Sequence, residues 1–550
     1  MSFNISELSG RKGLDRNLFE AIGDAAKSAG TVSTEDTNKL AEEFLLGKAN
    51  VLGSVSFYDF TREENKGKKV YVCNGSACLC AGTQPDVKST LEKHFKANEI
   101  GEMCCLGRCH ENKAFHFNGC NYSGHDIDSF QQIKLDSQEK MDHYHVAALG
   151  HDILTSKISD SNTFYQLWKD VLNQSNTNSL EALKASGLRG RGGAGFPTSF
   201  KLEACKNAPS AIKFIVCNAD EGDPGAYSDR YLLEQQPQKV LLGMMIAGYI
   251  AGSSMGVLYI RGEYPESISR INAEIAHLIQ TGLLGENILN SGFSFSFKVI
   301  RAQGAYICGE ETALLSSIEG QRPEVRVRPP FPAQSGLFNK PTLVCNVETF
   351  ACIPYIIQEG GEKFASIGRG KSTGTKLISL DSAFSRPGIY EVDMGTPLQT
   401  VIEQLGQGFK KEVKAMHIGG PLGGLVPLSK VNDLTIDFES FQQQGFLLGH
   451  ASVVCIPNDF PLIEYIQHLF EFTAHESCGK CFPCRLGSTR GAELIQKATS
   501  SDYKIDKTLL TDLLETMEIG SLCALGGGLP LPIKNALHYF EDELKAFIVE

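Results

Sequence analysis

The chain has 550 residues, 42% of them hydrophobic and 21% charged, with a formal net charge of −12 at pH 7. This length is too great for a single hydrophobic core and predicts roughly three to five domains. The acidic balance argues against nucleic acid as the main partner, because phosphate backbones select basic surfaces. The 17 cysteines accompany an N-terminus without a secretory signal, so we expect metal ligands or core thiols in a cytoplasmic protein rather than disulfides.

The first 130 residues are predicted to form a helical segment followed by a small cysteine-bearing domain. Leu18, Phe19 and Ile22 recur at helical spacing, and Val70–Cys73 is predicted to be a strand. Four cysteines follow in two pairs with C-x4-C and C-x3-C spacing: Cys73 and Cys78, and Cys105 and Cys109. Two loops that each present two thiolates can hold a [2Fe–2S] cluster, although both spacings also suit zinc. No role is assigned to the remaining cysteines of this part, Cys80, Cys104 and Cys120.

A charge-free window from Val240 to Ile260 is long enough to span a bilayer. Gly252, Ser253 and Gly256 interrupt this window, and its last four residues have the apolar, aromatic and β-branched character of a strand. We therefore predict a buried helix followed by a strand, and no membrane span.

A glycine-rich segment, GLRGRGGAG at residues 187–195, is predicted to bring the backbone close to a ligand. Glycine permits positive φ angles and lacks the Cβ that would block an approach, while successive amides can bind an anion. The letters also satisfy G-x-G-x-x-G, but a predicted helix rather than a strand precedes them, so the dinucleotide fingerprint is incomplete. The segment predicts a phosphate-bearing cofactor, with a plain surface loop as the alternative.

The next predicted strand, residues 214–217, ends in a cluster of amide and carboxylate side chains: Asn218, Asp220, Glu221 and Asp223. Ligands of open α/β sheets bind at the carboxyl ends of the strands. Carboxylates and amides can hydrogen-bond a heteroaromatic ring or ribose hydroxyls, whereas arginines and glycine amides suit a phosphate. These residue types together favour a nucleotide-like flavin over a simple anion.

The C-terminal part, residues 439–550, is predicted to be helical and to hold a [4Fe–4S] cluster. Three cysteines in C-x-x-C-x-x-C spacing and one remote cysteine would supply the four corners: Cys478, Cys481, Cys484 and Cys523. Four thiolates leave no corner for the nearby His475, which we interpret as a packing or hydrogen-bonding residue. Zinc is the alternative for this set of cysteines.

Five motifs, in chain order, resemble those of one protein family: GLRGRGGAGFPTSFK, CNADEGDPG, GAYICGEETAL, PPFPAQSG and HESCGKCFPC. They are similar to motifs of the NADH-binding flavoprotein subunit of respiratory complex I, and of the diaphorase subunits of NAD-reducing hydrogenases and NAD-dependent formate dehydrogenases. The resemblance covers about residues 180–550, and a shorter one to the thioredoxin-like [2Fe–2S] subunit of complex I covers about 15–130.

The resemblance implies an α/β multidomain fold. A helical segment with a thioredoxin-like domain would occupy residues 1–130, a linker 131–180, and a Rossmann-like FMN- and NADH-binding domain 181–365. A β-grasp domain would follow over 366–438, and a C-terminal helical bundle with the [4Fe–4S] cluster over 439–550. The β-grasp domain carries no chemistry that the sequence reveals, and we expect it to serve as a scaffold.

The resemblance also implies the residues of the nucleotide site. FMN would be lined by ten residues: Gly190, Arg191, Lys201, Asn218, Asp220, Glu221, Gly309, Glu310, Asn346 and Thr349. NADH would be held against the flavin by seven: Phe196, Lys201, Asp223, Tyr306, Glu311, Arg328 and Phe331. No side chain is expected to act as a nucleophile, because hydride transfer belongs to the flavin.

Several positions depart from the family pattern. Asp223 stands where complex I has a glutamate, Arg328 replaces a lysine, and Cys345 replaces the first of two asparagines. Ala204 occupies a position where some members have a second aromatic residue that stacks on adenine. No acidic residue is placed to exclude the 2′-phosphate of NADP and no arginine is placed to require it, so NADP is the alternative to the expected NAD.

The expected function is that of an NADH:acceptor oxidoreductase subunit, a diaphorase, that passes electrons between NAD(H), FMN and the iron–sulfur clusters. No ferredoxin-like extension follows Cys523, so we expect the electrons to pass to another polypeptide. The ending SLCALGGGLPLPIKNALHYFEDEL resembles the β subunit of NAD-dependent formate dehydrogenases, whose catalytic α subunit contains molybdenum or tungsten and further iron–sulfur clusters. The alternatives are the diaphorase subunit of an NAD-reducing hydrogenase, a complex I-type subunit, and a non-enzymatic iron–sulfur scaffold that senses a nucleotide.

Overall fold

The structure is a computed structural model that describes Leu14 and residues 17–29, 31–136, 142–158 and 161–549. In this part of the chain, the strands form two four-stranded sheets, one six-stranded sheet and two short two-stranded ribbons. Helices pack against the sheets, and further helices lie near the N-terminus and in the C-terminal part of the chain. The predicted α/β multidomain class is confirmed.

Three helices near the N-terminus pack together through apolar residues at helical spacing: α1 (Leu18–Ala29), α2 (Thr34–Glu43) and α3 (Lys48–Val55). Ser33 caps α2, because its hydroxyl accepts a hydrogen bond of 3.0 Å from the Asp36 amide. Leu18 and Ile22 are fully buried in the core that the three helices share. The helical character predicted for this segment is confirmed.

A thioredoxin-like domain follows, built on four strands. Its elements are β1 (Val70–Cys73), α4 (Ser76–Ala81), α5 (Gln84–Leu91), β2 (Ile100–Met103), β3 (Phe115–Phe117), β4 (Cys120–Tyr122) and α6 (Phe130–Leu135). The strand order is β2-β1-β3-β4, with β1 parallel to β2 and antiparallel to β3. Because β1 and β2 are parallel, their carboxyl ends lie at one edge. Cys73 ends β1 and Cys78 lies in α4, while Cys105 and Cys109 follow β2.

The segment 131–180, which we predicted to be a linker, contains regular structure that packs against its neighbours. Strand β5 (His145–Leu149) pairs in parallel with a strand from residues 388–393, and helix α7 (Ser161–Asn173) follows. Trp168, the only tryptophan of the chain, lies in α7 and is fully buried. The polar residues that led us to predict a linker lie on the exposed faces of these elements, whereas the apolar residues of α7 are mostly buried.

The central domain is built on a parallel sheet of four strands in the order β8-β7-β6-β9. Its elements are α8 (Asn176–Ser186), α9 (Thr198–Asn207), β6 (Phe214–Ala219), α10 (Ser228–Gln235), α11 (Pro237–Ala251), β7 (Met255–Ile260), α12 (Pro265–Gln280), β8 (Ser296–Arg301), α13 (Glu311–Ile318), α14 (Pro332–Ser335), β9 (Thr342–Asn346), α15 (Val347–Glu359) and α16 (Gly361–Ala365). The charge-free window is a buried helix followed by a strand, α11 and β7, as predicted. In the register of β6 and β9, Asn218 is opposite Asn346, so both lie at the carboxyl edge of the sheet.

A six-stranded sheet of order β15-β14-β16-β12-β13-β5 forms the next domain. Its elements are β10 (Gly368–Arg369), β11 (Ser372–Thr373), β12 (Thr375–Leu380), β13 (Gly388–Asp393), α17 (Leu398–Thr400), β14 (Val413–Ile418), β15 (Gly424–Pro427), α18 (Phe438–Gln443) and β16 (Ser452–Pro457), with β10 and β11 forming a separate ribbon. Strands β5 and β16 lie outside the range 366–438 that we predicted for a β-grasp domain. The sheet therefore joins three parts of the chain.

Helices dominate the C-terminal part, as predicted. The elements are α19 (Leu462–Glu476), α20 (Phe482–Ser500), β17 (Ile505–Asp506), α21 (Lys507–Gly520), α22 (Ala524–Gly528), α23 (Pro530–Tyr539), α24 (Glu541–Leu544) and β18 (Ile548–Val549). The C-x-x-C-x-x-C motif connects α19 to α20, and Cys523 is the N-cap residue of α22. None of the described helices of the chain is long and apolar enough to cross a membrane.

Candidate flavin and iron–sulfur site

The glycine-rich segment runs between α8 and α9 and approaches the start of α15. The Gly190 amide donates a hydrogen bond of 2.8 Å across the loop, and the Arg191 amide donates one of 2.9 Å to Oγ1 of Thr349. A Cβ at Gly192 would lie only 3.0 Å from the Cβ of Asn346, so this approach favours glycine. Four of the predicted FMN residues therefore meet at this point.

Arg191 is fully buried, and part of its guanidinium group has no partner. Its Nη2 donates a hydrogen bond of 2.6 Å to the Thr373 carbonyl, whereas Nε and Nη1 have no hydrogen-bond partner among the described residues. Leaving a buried guanidinium unpaired is costly, so this site indicates a bound anion. Oδ2 of Asp220 is also buried without a partner there, and burial raises the Asp220 pKa. A phosphate at Arg191 and a polar ring at Asp220 fit FMN.

Asn218 connects the end of β6 to the turn of the GAYICGEETAL motif. Its Nδ2 donates a hydrogen bond of 2.7 Å to the Gly309 carbonyl, and its Oδ1 accepts one of 3.2 Å from the Asp220 amide. A Cβ at Gly309 would lie 3.4 Å from the Asp220 carbonyl. These contacts bring two segments that we predicted to line FMN side by side.

Lys201 belongs to a group of paired charges beside this turn. Its Nζ lies 2.8 Å from Oε2 of Glu311 and donates a hydrogen bond of 2.8 Å to the Val344 carbonyl. Although burial disfavours the ammonium form, the Glu311 carboxylate outweighs it and raises the Lys201 pKa. Arg328 pairs with Glu310 and, at 3.3 Å, with Glu311. Residues predicted for the flavin and for NADH thus share one ion-pair network.

Tyr306 is fixed by contacts with two other parts of the chain. Its hydroxyl donates a hydrogen bond of 2.6 Å to Oδ1 of Asp223, and its amide donates one of 2.8 Å to Oε2 of Glu476. Its ring packs edge-on against Phe472 with 5.0 Å between centroids. Phe472 and Glu476 lie on α19, which leads directly to the cysteine motif, and neither was singled out from the sequence.

Exposed aromatic side chains lie around α9. Phe196 is 48% exposed and Phe331 is 53% exposed, unusual values for large apolar residues that suit a stacking surface. Phe331 is the N-cap residue of α14, which contacts α9. Phe200, which we did not predict, is also exposed, and its ring lies 5.6 Å from that of Phe196. It precedes Ala204 by one helical turn, so an aromatic side chain is still present on this helix.

Two residues that we predicted to line FMN accept hydrogen bonds from backbone amides. Glu221 accepts hydrogen bonds from the amides of Asp229 (2.9 Å) and Arg230 (3.0 Å) at the start of α10. Glu310 caps α13 by accepting two amide hydrogen bonds of 2.9 Å. Both carboxylates therefore stabilise helix N-termini, where the helix dipole favours negative charge.

His450, which precedes β16, adds a buried charge to this region. Its Nε2 lies 3.3 Å from Oδ2 of Asp229 and 3.8 Å from Oε1 of Glu221. Burial disfavours the imidazolium form, but Asp229 outweighs it and the His450 pKa is raised to about 9. A Cβ at Gly193 would lie 3.8 Å from the His450 amide nitrogen, which places His450 beside the glycine-rich segment. No sequence motif marked this residue.

The four C-terminal cysteines converge between α19, α20 and α22. Cys478 and Cys484 are buried, and Cys481 and Cys523 pack against the same core. Burial raises the Cys484 pKa to about 11, opposed by a hydrogen bond with Ser477 and assisted by the neighbouring thiols of Cys481 and Cys478. A Cβ at Gly526 would lie 2.5 Å from the Cys484 Cβ, so α22 can approach only with glycine there. The set fits a [4Fe–4S] cluster, whose ligands are normally four thiolates.

The two N-terminal cysteine pairs face each other at the edge of β1 and β2. The sulfurs of Cys105 and Cys109 are 3.6 Å apart. The neighbouring Cys78 thiol lowers the pKa of Cys73 to about 7. All four are buried, and electrostatic interactions connect Cys73 with Cys105 and Cys78 with Cys109. This set fits a [2Fe–2S] cluster.

Sequence profiles of three domain families match the chain. The Nuo51 FMN-binding domain matches residues 183–355, the iron–sulfur binding region of NADH-ubiquinone oxidoreductase-F matches 464–547, and the thioredoxin-like [2Fe–2S] ferredoxin matches 6–136. The cofactors of the protein are thus FMN, a [4Fe–4S] cluster and a [2Fe–2S] cluster. Fold and site together define an NAD-dependent iron–sulfur flavoprotein of the diaphorase class.

Individual relatives support the same class. The NADH-quinone oxidoreductase F 2 protein of Rhizobium meliloti is 39% identical over 68% of this chain and 89% of that protein. The HndC protein of the NADP-reducing hydrogenase of Solidesulfovibrio fructosivorans is 42% identical over 70% of this chain and 79% of that protein. A chain in the crystal structure of NAD⁺-reducing [NiFe]-hydrogenase in the H2-reduced state superposes with a TM-score of 0.86 at 25% identity, covering 96% of this chain and 92% of that one. The chain belongs to the family of the NADH-quinone oxidoreductase F proteins and the related hydrogenase diaphorases.

Proposed function

We propose that this protein is the NAD(H)-reacting β subunit of a formate dehydrogenase and exchanges electrons with a separate catalytic subunit. The observation that carries the diaphorase part is the position of Tyr306. This residue contacts Asp223 on the nucleotide side and Glu476 on the helix that leads to Cys478. The contacts of Tyr306 therefore support a continuous region from the proposed nucleotide residues to the proposed cluster ligands.

Residues around α9 would bind NAD(H). The exposed rings of Phe196 and Phe331 offer faces for stacking on the adenine or nicotinamide ring. Lys201, paired with Glu311, and Arg328 would bind the polar groups of the nucleotide. Asp223, oriented by Tyr306, would act as a hydrogen-bond acceptor.

The glycine-rich segment and the end of β6 would hold the flavin. Arg191 would bind the FMN phosphate with the two nitrogens that lack other partners among the described residues, and Asp220 would bind the ring with its unpaired oxygen. FMN, when bound, exchanges two electrons with NAD(H) and single electrons with iron–sulfur clusters. The chain contributes orientation and a surrounding of fixed charges.

Two observations concern the substrate, other than NAD(H), that the complex oxidises. Formate is supported by the resemblance of residues 521–544 to the ending of formate dehydrogenase β subunits. Hydrogen, the second candidate, is supported by the likeness to a chain of an NAD⁺-reducing [NiFe]-hydrogenase, because its 96% coverage includes the thioredoxin-like domain. Either substrate requires a partner that this chain does not supply: a molybdenum or tungsten α subunit, or hydrogenase subunits.

Anaerobic purification of the tagged chain from its native host tests both parts. We expect bound FMN, about six iron atoms per chain and NADH-dependent reduction of ferricyanide or viologen. Co-purified subunits are then assayed for NAD⁺ reduction with formate or with hydrogen, and formate-dependent activity alone supports the proposal. Hydrogen-dependent activity would establish the second candidate. FMN without NADH turnover would favour a nucleotide-sensing scaffold, and zinc in place of iron would contradict the electron-transfer function.

A further inference from the structure

The cysteine loop, residues 104–109, carries two of the four [2Fe–2S] cysteines and is bound through its carbonyl groups. Arg261, which directly follows β7 in the central domain, donates hydrogen bonds to the carbonyls of Cys104 (3.1 Å) and Cys105 (2.9 Å). The same guanidinium also donates one of 2.9 Å to the Glu221 carbonyl. One side chain of the central domain thus contacts both the cysteine loop and the loop after β6.

The next two carbonyls of the cysteine loop are also bound by arginines. Arg230 of α10 donates a hydrogen bond of 3.0 Å to the Gly107 carbonyl. Arg108, within the loop, donates a longer one of 3.4 Å to the Leu106 carbonyl. Four consecutive carbonyls therefore point to guanidinium groups and not to the cysteine sulfurs.

Each of these arginines is buried and held by acidic side chains. Arg261 lies 2.8 Å from Glu263, and Arg230 lies 2.7 Å from Asp142. Arg108 lies 2.7 Å from the same Asp142 oxygen. Because buried charges are costly without partners, this pairing fixes the guanidinium groups in place.

The amides of the cysteine loop face the sulfurs. The Cys78 thiol, and then backbone amides that include those of Leu106 and Cys105, lower the pKa of the Cys73 thiol. The Cys109 thiol and the Gly107 amide act in the same direction on the pKa of Cys105. Cys105 and Gly107 have φ angles of 49° and 67°, and a Cβ at Gly107 would lie 2.7 Å from the Tyr264 ring. The loop therefore has an unusual backbone path that directs its carbonyls to the arginines and its amides to the cluster ligands.

We propose that Arg230 and Arg261 are positioning residues that set the reduction potential of the [2Fe–2S] cluster by fixing the peptide groups of the cysteine loop. Reduction adds one negative charge to a cluster, and hydrogen bonds to its sulfurs stabilise that charge, which raises the potential. Both arginines belong to the central domain, so the potential depends on the contact between the two domains. The inference rests on the assignment of the four N-terminal cysteines as ligands.

The test is an anaerobic redox titration of the full-length chain, monitored by electron paramagnetic resonance, for Arg261→Lys and Arg230→Lys. Lysine retains the charge but cannot serve several carbonyls with a planar fork of donors. We expect the equilibrium constant for [2Fe–2S] reduction to fall at least about tenfold, a shift of 59 mV for a one-electron couple, toward more negative potential. The [4Fe–4S] potential of the same molecule should stay unchanged. The matched control is Arg326→Lys. Arg326 is also an arginine of the central domain paired with a glutamate, Glu319 at 2.6 Å, but it has no described hydrogen bond to the cysteine loop.

The possible outcomes separate clearly. An unchanged [2Fe–2S] potential in both variants, with full iron content, would overturn the proposal. Equal shifts of both clusters would also overturn it, because they would reflect general loosening of the fold. Loss of the [2Fe–2S] signal in both variants, with the Arg326→Lys chain intact, would also overturn it, because the arginines would then be needed to hold the cluster and not to set its potential. If the unmodified chain shows no [2Fe–2S] signal, the ligand assignment itself fails.

Discussion

The hydroxyl of Tyr306 donates a hydrogen bond of 2.6 Å to the carboxylate of Asp223, across 83 residues of sequence. Burial raises the Asp223 pKa, while His450 and the Tyr306 hydrogen bond act in the opposite direction. Because the Tyr306 amide is bound by Glu476, the orientation of Asp223 depends on the helix that precedes the [4Fe–4S] cysteines. Residues that we propose to bind NADH are thus connected by hydrogen bonds to the helix that leads to the proposed cluster ligands.

Tyr306→Phe removes this hydroxyl and retains the ring. A hydrogen bond to a charged group contributes about 1.5–3 kcal/mol, so we expect kcat/KM for NADH to fall roughly ten- to hundredfold. Steady-state ferricyanide reduction measures the loss, and the FMN content should stay unchanged. Tyr249→Phe is the control, because that hydroxyl binds the Gln174 carbonyl at the protein surface. Equal losses in both variants would contradict the role of the Asp223 contact.

Arg191→Met tests the phosphate site. The substitution preserves much of the side-chain volume and removes the buried guanidinium whose Nε and Nη1 lack partners among the described residues. Charge-assisted hydrogen bonds to phosphate are strong, so FMN affinity should fall at least about tenfold. Fluorescence of the flavin released from the purified protein gives its occupancy. Arg490→Met, at an exposed position, should retain full occupancy, and an unchanged FMN content in Arg191→Met would place the phosphate elsewhere.

Local features of the structure could be predicted from the sequence because covalent spacing determines them. The motif from Cys478 to Cys484 places three thiols within seven residues of sequence. The end of β6 likewise follows from an apolar run that stops at Asn218. These patterns depend on neighbours in sequence, and the structure places their side chains together.

Features that depend on distant parts of the chain could not be predicted. His450 contacts Asp229 over 221 residues of sequence, and no periodicity or motif marks either residue. Glu221 and Glu310 carry carboxylates of the kind that bind ligands. In the fold, each carboxylate accepts hydrogen bonds from backbone amides at the start of the following helix. Strand β5 was not predicted, because its parallel partner is β13, which is distant in the sequence.

His450 predicts a pH-dependent stability. Burial acts against its charged form, but Asp229 outweighs burial and the His450 pKa rises from 6.5 to about 9. The folded state then binds more protons between these values, so the stabilisation is complete below about pH 6.5 and is lost as the pH rises through about 9. The slope for one proton is about 1.4 kcal/mol per pH unit.

Urea unfolding, followed by the fluorescence of Trp168, measures this dependence. We expect His450→Gln to be less stable than the unmodified chain at pH 6, with the difference shrinking as the pH approaches 10. His143→Gln, at an exposed position, is the control and should follow the unmodified chain. A constant difference between pH 6 and pH 10 would mean that folding does not shift the pKa of His450.

Cys523→Ser tests whether the remote cysteine completes the [4Fe–4S] set. Cys523 begins α22, 39 residues after Cys484 in the sequence, and it reaches the other three thiols only because glycine at position 526 allows the close approach of that helix. A hydroxyl is a poor ligand for this cluster, so we expect about four fewer iron atoms per chain and loss of the [4Fe–4S] signal. FMN and the [2Fe–2S] signal should remain, since their residues lie elsewhere. Cys205→Ser, a buried thiol of α9, should leave iron content unchanged, and a full [4Fe–4S] signal in Cys523→Ser would require a different fourth ligand.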